Sequence, residues 1–275
     1  MVIDSHHHLW SYSASEYGWI DDSMAGIRRD FLPVHFEREI RMAGVDGSVL
    51  VQARTTIEET HRLLEMAASH PFLLGVVGWV PLDSPDILPC LSSLAGTGNL
   101  KGAREVLQGR PEGSLLKPAF NAGIALLKTF DLTYDILIYQ NQIQETIELV
   151  DRHPEQTFVL DHIAKPRIRD QSLEPWASDL RELARRGNVF CKVSGMVTEA
   201  DPTSWTPQQL QPYFDVVLEA FGPNRLMFGS DWPVCLVGTD YAQWLGMVQS
   251  WTAPLSGAEQ AAIFGETAAR VYRLG

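Results

Sequence analysis

Eight short apolar runs alternate with longer segments patterned as helices, and this alternation limits the chain to very few folds. The runs are residues 2–8, 47–53, 73–80, 100–107, 133–139, 157–162, 189–193 and 225–230. Helical spacing of apolar residues marks segments 58–68, 142–152, 173–186, 208–221 and 256–270, the last opening with a Ser256–Glu259 capping box. Eight strands separated by helices predict a single-domain α/β fold over residues 1–275, a TIM (β/α)₈ barrel. An open doubly wound sheet is the alternative, but its usual Gly-rich turn after the first strand is replaced here by histidines.

Composition is ordinary for a soluble globular enzyme and argues against certain partners. The 275 residues are 45% hydrophobic and 20% charged, and the net charge of −12 argues against a nucleic-acid or anionic-membrane partner. Three cysteines lie far apart (Cys90, Cys191 and Cys235), which favours a reducing cytoplasm over a disulfide framework. The sequence shows neither a signal peptide nor an apolar run of the roughly 18 residues that cross a bilayer.

The first strand carries three adjacent histidines. Because successive side chains of a strand point to opposite faces, His6 and His8 share one face and His7 points to the other. Such a pair suits a metal site or a catalytic cluster, whereas the remnant of a purification tag would be longer. The aromatic segment 11–31 follows this strand and is expected to lie over the active face as a lid or substrate wall.

Ionisable residues gather at the predicted carboxyl ends of the strands, where a barrel places its catalytic groups. Together His6, His8, His162 and Asp231 offer nitrogen and carboxylate ligands for one divalent ion, Zn²⁺ by preference, with an open position for water. The predicted catalytic groups are Asp231 as general base, His162, and Lys192, which would direct positive charge at a developing oxyanion.

Each of these residues also has a purely structural interpretation. Asp231 suits the N-cap of a turn, and His162 suits a hydrogen-bonded position in the core. Lys192 pairs readily with a carboxylate, and Arg104 with Glu105. The functional interpretation rests on the set as a whole.

The motifs resemble the amidohydrolase superfamily, specifically its amidohydrolase-2 branch of lactonases. The resemblance spans essentially the whole chain through IDSHHHLW (3–10), VQA (51–53), KGAREVLQ (101–108), FVLDHIAKP (158–166), KVSG (192–195) and LMFGSDWP (226–233). It implies a distorted barrel that hydrolyses a cyclic ester, as fuconolactonases, rhamnonolactonases and dicarboxylate lactonases do.

Two departures from the superfamily argue against a binuclear metal centre. The run 133–139 contains no histidine, and Arg104 stands where a bridging lysine or glutamate is common. We therefore expect at most one metal ion. Some relatives in this branch work without any, in which case charged side chains would polarise the carbonyl and Asp231 would still activate water.

Aromatic residues near the strand ends suit the apolar faces of a sugar ring, although many aromatic residues simply fill a core. The predicted substrate-binding residues are Gln52, Arg104, Trp10, Trp79, Tyr139 and Trp232. Few arginines cluster among them, so a neutral aldonolactone is favoured over a dicarboxylate lactone.

Two other functions remain open at this stage. One is a metal-dependent, non-oxidative decarboxylase on the same scaffold, which would release CO₂. The other is a catalytically silent barrel that binds a sugar acid as a sensor. Intact His6, His8, His162 and Asp231 argue against the silent barrel.

Overall fold

A parallel sheet of eight strands forms the centre of the molecule, with each strand beside its neighbour in sequence. The computed structural model describes residues 1–275. Every predicted run contains one strand, so the single-domain barrel prediction for the fold is confirmed. The strands are β1 (Ile3–His7), β2 (Gly47–Val51), β3 (Leu73–Gly78), β4 (Leu100–Val106), β5 (Thr133–Leu137), β6 (Phe158–Leu160), β7 (Val189–Val193) and β8 (Leu226–Phe228).

The seam between β8 and β1 closes the barrel, with fewer backbone bonds than the other strand pairs. His8 N donates to Trp232 O at 2.7 Å, and Asp231 N donates to His6 O at 2.8 Å. Asp4 reinforces this seam, because its Oδ1 accepts from the backbone N–H of Ser230 at 2.9 Å. The hydrogen bonds across the seam therefore mostly involve residues that follow the regular strands, and the barrel is distorted there.

Helices connect successive strands and pack against the outside of the barrel. They are α1 (Pro33–Met42), α2 (Ile57–Ser69), α3 (Ile87–Ala95), α4 (Pro118–Leu127), α5 (Ile143–Arg152), α6 (Trp176–Ala184), α7 (Pro207–Phe221) and α8 (Tyr241–Thr252). The predicted segment 173–186 is longer than α6, which begins only after Pro175. The predicted C-terminal segment is divided into α9 (Gly257–Ala261), a π-helical turn (Ala262–Glu266) and α10 (Thr267–Val271), and its capping box is present.

The C-terminal segment covers the amino ends of the strands. Gly265 approaches the backbone of Met1 so closely that an added Cβ would lie 2.1 Å from its carbonyl oxygen. Tyr272 and Leu274 pack in a second apolar cluster with strand residues such as Ile3 and Val49. This end of the barrel is therefore plugged, and the opposite, carboxyl end is left for a site.

The segment 11–31 folds over the carboxyl end as a compact loop. Trp10 and Phe31 exchange backbone hydrogen bonds of 2.9 and 2.8 Å at its base, and it contains a 3₁₀ helix, Asp22–Ile27. Glu16 in this loop forms an ion pair of 2.8 Å with Arg54, which follows β2. The loop therefore forms a wall of the carboxyl end, held by backbone hydrogen bonds and by an ion pair. No helix combines the length and apolar composition needed to cross a membrane.

Candidate active site

Three imidazoles and one carboxylate converge at the carboxyl end of the barrel, as the strand-end pattern predicts. Nε2 of His6 lies 3.2 Å from Nε2 of His8, and Oδ1 of Asp231 lies 3.4 Å from the latter atom. Oδ1 of Asp231 is also 3.8 Å from His6 Nε2 and 4.0 Å from His162 Nε2. His7 points away and stacks on Phe36, so the face assignment within β1 holds.

Hydrogen bonds fix the orientation of two of these rings. Nδ1 of His8 lies 2.8 Å from the carbonyl oxygen of Val51, which only accepts, so this nitrogen carries the proton and Nε2 presents a lone pair to the site. Nδ1 of His162 lies 2.9 Å from the hydroxyl of Ser194. Both rings therefore present Nε2 to the cluster.

A left-handed turn places His162. Four successive residues have positive φ: His162 (52°), Ile163 (50°), Ala164 (61°) and Lys165 (48°). Left-handed backbone costs roughly 1–2 kcal/mol per residue without glycine, so packing has to hold this turn. Trp176 does so by donating a hydrogen bond of 2.8 Å from Nε1 to Ile163 O.

The electrostatics favour a carboxylate among neutral imidazoles. Burial alone would raise the pKa of Asp231, but the rings of His162, His8 and His6 outweigh it and hold that pKa well below its ordinary value. Burial lowers the pKa of His162 to about 4, against the opposing charges of Asp231 and Asp161. Burial likewise holds the pKa of His6 well below its ordinary value. At neutral pH these two rings are uncharged and Asp231 is ionised.

This donor set fits a divalent metal ion. A tetrahedral ion with bonds of about 2.1 Å places its ligand atoms about 3.4 Å apart. The three separations among His6, His8 and Asp231 lie between 3.2 and 3.8 Å. The side chains of His8 and Asp231 remain 6% and 5% exposed, so the cluster opens to solvent through a narrow mouth.

Lys192 lies beneath the cluster and not within it. Its side chain is fully enclosed, with Nζ 2.5 Å from Asp135 Oδ2, 3.0 Å from Asp161 Oδ1 and 3.1 Å from His6 Nδ1. Its ammonium therefore faces the underside of His6, and the expectation that its charge acts on the substrate stays a prediction. Its inward-facing position on β7 was predictable, but its depth was not.

Arg104 and Gln52 also face each other more than they face the mouth. The guanidinium donates to both the side-chain and backbone oxygens of Gln52, and its Nη1 donates to Asp161 Oδ2 at 2.8 Å. The same Nη1 lies 3.3 Å from His6 Nε2. Gln52 is fully buried and accepts hydrogen bonds from Arg104, and the expected contact of its side chain with substrate stays a prediction.

The four predicted aromatic residues separate into two pairs. Trp10 and Trp232 are buried, and both pack edge-on against Phe31, so they support the wall and do not reach the mouth. Direct binding of substrate by these two residues stays a prediction. Trp79 is partly exposed and donates from Nε1 to Glu105 Oε2 at 2.7 Å, and Tyr139 is exposed.

Two charged residues that were not predicted also face this region. Lys165 ends the left-handed turn, and its Nζ lies 3.7 Å from Glu199 Oε1 and 5.8 Å from the centre of the Tyr139 ring. Burial and the charge of Asp231 raise the pKa of Glu199. Lys165 lies within the FVLDHIAKP motif, and this motif could have marked it as a residue of the site. Glu199 lies in a 3₁₀ turn after β7 and has no comparable signal.

A parallel eight-stranded barrel with histidines and an aspartate at its carboxyl end defines a hydrolase scaffold, and the comparisons specify it. The family model described as amidohydrolase matches residues 3–274, and the chain belongs to this family.

Among its relatives are two L-fucono-1,5-lactonases, and a solved structure is closely similar. The lactonase of Burkholderia multivorans is 38% identical over 99% of this chain and 96% of that protein, and the one of Burkholderia ambifaria is 35% identical over 99% and 95%. A crystal structure of a Burkholderia multivorans amidohydrolase with bound zinc superimposes with a TM-score of 0.97, at 38% identity and full coverage of both chains.

Proposed function

We propose that this protein hydrolyses the ester of a sugar-acid lactone, with a neutral six-membered aldonolactone as its substrate. The observation that carries the proposal is the cluster of His6, His8, His162 and an ionised Asp231 at the only open end of an amidohydrolase barrel. The relatives named as L-fucono-1,5-lactonases confirm the predicted reaction class, lactone hydrolysis. The ring size and the neutral charge of the substrate are our own extension.

Asp231 is the proposed general base. Its carboxylate is ionised and sits at the mouth, so it accepts a proton from water as the water oxygen attacks the lactone carbonyl. The tetrahedral species then collapses, the ring C–O bond breaks, and the ring oxygen leaves with a proton. The product is the open hydroxy acid, and no other reactant is consumed.

His6, His8, His162 and Asp231 are the residues that would hold one divalent ion, and we propose zinc. When bound, zinc would polarise the carbonyl and lower the pKa of water. The support is the close grouping of donor atoms from His6, His8 and Asp231, with Nε2 of His162 4.0 Å from Asp231 Oδ1, together with the zinc bound to the similar Burkholderia multivorans structure. Arg104, beside His6, adds positive charge to the same region.

Lys165, Glu199, Tyr139 and Trp79 are the proposed substrate-binding residues. An ammonium and a carboxylate 3.7 Å apart can donate to and accept from neighbouring hydroxyls, while the aromatic faces suit the C–H groups of a sugar ring. Because Lys165 is already paired with Glu199, its charge is partly neutralised and is less available to a dicarboxylate. This favours a neutral lactone and a role in carbohydrate metabolism. We place the enzyme in a reducing cytoplasm, which suits three unpaired cysteines.

A pH-indicator assay on a panel of aldonolactones, with chelated enzyme and with added Zn²⁺, tests the reaction and the metal separately. Hydrolysis only with zinc supports both proposals, and equal hydrolysis without it removes the metal. Release of CO₂ from an unsaturated acid would replace the lactonase with a decarboxylase. Calorimetric binding of a lactone without turnover would indicate a binding barrel.

Substitution of the base gives a second test. Asp231→Asn should lower kcat by about 10² to 10⁴, because an amide cannot accept the proton of water. The matched control is Asp22→Asn on the surface loop, whose side chain is 98% exposed and which should keep full activity. Ordinary turnover by the Asp231 variant would remove this residue from the role of base.

A further inference from the structure

A chain of buried hydrogen bonds runs from the C-terminal segment through the barrel to the active site. The hydroxyl of Tyr272 donates to Asp135 Oδ2 at 2.6 Å, and the same oxygen accepts from Lys192 Nζ at 2.5 Å. Nζ of Lys192 then lies 3.1 Å from Nδ1 of His6. These four side chains are buried, and the first three, here called the Tyr272 chain, do not reach the mouth.

His6 Nδ1 has two different neighbours. The ammonium of Lys192 only donates, whereas Oδ1 of Asp161, 3.3 Å away, only accepts. That oxygen is buried and lies 3.0 Å from Lys192 Nζ, but no donor approaches it in hydrogen-bond geometry. Because Lys192 Nζ can donate to Nδ1 and Asp161 Oδ1 can accept from it, both neutral tautomers of His6 have a partner on this side.

The tautomer of His6 also determines whether its Nε2 faces the cluster with a proton or with a lone pair. Nε2 of His6 lies 3.2 Å from Nε2 of His8, which presents a lone pair because its Nδ1 bonds to the Val51 carbonyl. With Lys192 donating to Nδ1, His6 carries its proton on Nε2 and donates to His8, and Nη1 of Arg104, 3.3 Å from that Nε2, finds no acceptor there; the Nδ1–H tautomer instead lets Arg104 donate to Nε2. With Nδ1–H donating to Asp161, both Nε2 atoms present lone pairs, which is the form that can hold a metal ion.

We propose that the Tyr272 chain positions His6 from the plugged end of the barrel and sets which of its nitrogens carries the proton. Tyr272, Asp135 and Lys192 act through His6 and are positioning residues. The hydroxyl of Tyr272 shares the Asp135 oxygen with Lys192, so it governs how firmly Asp135 holds the ammonium away from Nδ1. The consequence for zinc binding rests on the proposed function, but the tautomer of His6 does not.

Two substitutions should shift His6 in opposite directions. Tyr272→Phe removes a donor from Asp135, which then binds Lys192 more tightly and favours Nδ1–H. Asp135→Asn removes the carboxylate charge, releases Lys192 toward His6 and Asp161, and favours Nε2–H. A hydrogen bond of ordinary strength corresponds to a factor of about five, which is the shift expected in the tautomer ratio.

The experiment is long-range ¹H–¹⁵N correlation NMR of metal-free protein labelled with ¹⁵N-histidine. The chain has 8 histidines, and the spectrum of His6→Asn assigns the one required. Tyr213→Phe is the matched control, because that hydroxyl on α7 is buried without a partner. A second readout is the Kd for Zn²⁺ alone by calorimetry, expected to fall about fivefold in Tyr272→Phe and to rise about fivefold or more in Asp135→Asn.

Opposite displacement of the His6 signals by the two variants, with no displacement in Tyr213→Phe, supports the proposal. Unchanged signals overturn it, as does displacement in one common direction, because general damage to the barrel would move both variants alike. If the signals move oppositely but the protein binds no zinc, the positioning chain stands and the metal in the proposed function fails.

Discussion

Glu59 is a buried acid beside the site whose ionisation should cost stability. Its Oε2 accepts hydrogen bonds from the backbone N–H groups of Ala53 (3.0 Å) and Arg54 (2.7 Å), while Oε1 is buried without a partner. Burial raises the pKa of Glu59 to about 7, against the opposing hydrogen bonds and the charge of Arg54. Because this folded-state pKa exceeds the unfolded value, the stabilisation is complete below about pH 4.5 and is lost as the pH rises through 7.

The size of the effect follows from the shift. The pKa of Glu59 rises from 4.5 to about 7, and at about 1.4 kcal/mol for each pH unit this corresponds to about 3.5 kcal/mol, of which about 3 kcal/mol falls between about pH 4 and pH 8. Glu59→Gln removes the titration. The free energy of unfolding of this variant, relative to the native protein, should therefore increase by about 3 kcal/mol between about pH 4 and pH 8. Any constant effect of the amide cancels from that difference.

Urea unfolding, followed by tryptophan fluorescence at several pH values, measures this difference in the free energy of unfolding between the variant and the native protein. The matched control is Glu58→Gln, because Glu58 is the preceding residue of α2 and is exposed. Its free-energy difference from the native protein should stay flat over the same range. A flat profile for Glu59→Gln as well would refute the reasoning, and would mean that the two backbone hydrogen bonds offset the burial of the carboxylate.

Three further predictions concern the site. Gly195→Ala should lower kcat/KM at least about tenfold, since at φ +64° its Cβ would lie 2.5 Å from Nδ1 of His162; an unchanged value would contradict this. Gly123→Ala on the outer helix α4, where the added Cβ would clash even more closely with the backbone oxygen of Leu82, should lower the melting temperature and leave KM unchanged. Arg104→Lys should lower the free energy of unfolding by about 2–3 kcal/mol in urea titrations, because an ammonium cannot replace the fork bonded to Gln52; equal stability would show that the fork is dispensable. Zinc at about 100 times its Kd should stabilise the fold by about 2.7 kcal/mol in calorimetry, and a melting temperature indifferent to chelator would exclude the metal site.

The strand pattern predicts the barrel well because it depends on local periodicity. Each apolar run between turn signals contains a strand, and inward-facing residues at strand ends meet at one end of any parallel barrel. The convergence of His6, His8, His162 and Asp231 follows from that rule. Four helices are not singled out by the pattern, and two of them, α4 and α8, contain a glycine in their interior, at Gly123 and Gly246.

Depth within the barrel is not readable from the sequence. Alternation tells which face a side chain occupies, but strand tilt and stagger decide whether an inward residue lies at the mouth or one layer below. Lys192 and Gln52 lie below, and Trp10 is covered by the loop that follows it. The left-handed turn at His162 is also not readable from the sequence, because none of its four residues is glycine and long-range packing holds the turn.

The seam between β8 and β1 is the place where we expect the active site to open locally. His6 and Asp231 belong to opposite sides of it, joined by few backbone hydrogen bonds and by the Asp4 carboxylate. Local opening begins where backbone hydrogen bonds are sparse, so amide exchange near this seam should be faster than in the middle of the sheet. A fluctuation there widens the gap between two of the four converging groups without unfolding the rest. We therefore expect the seam to let the width of the active site change as a closed ring is converted to a longer open chain.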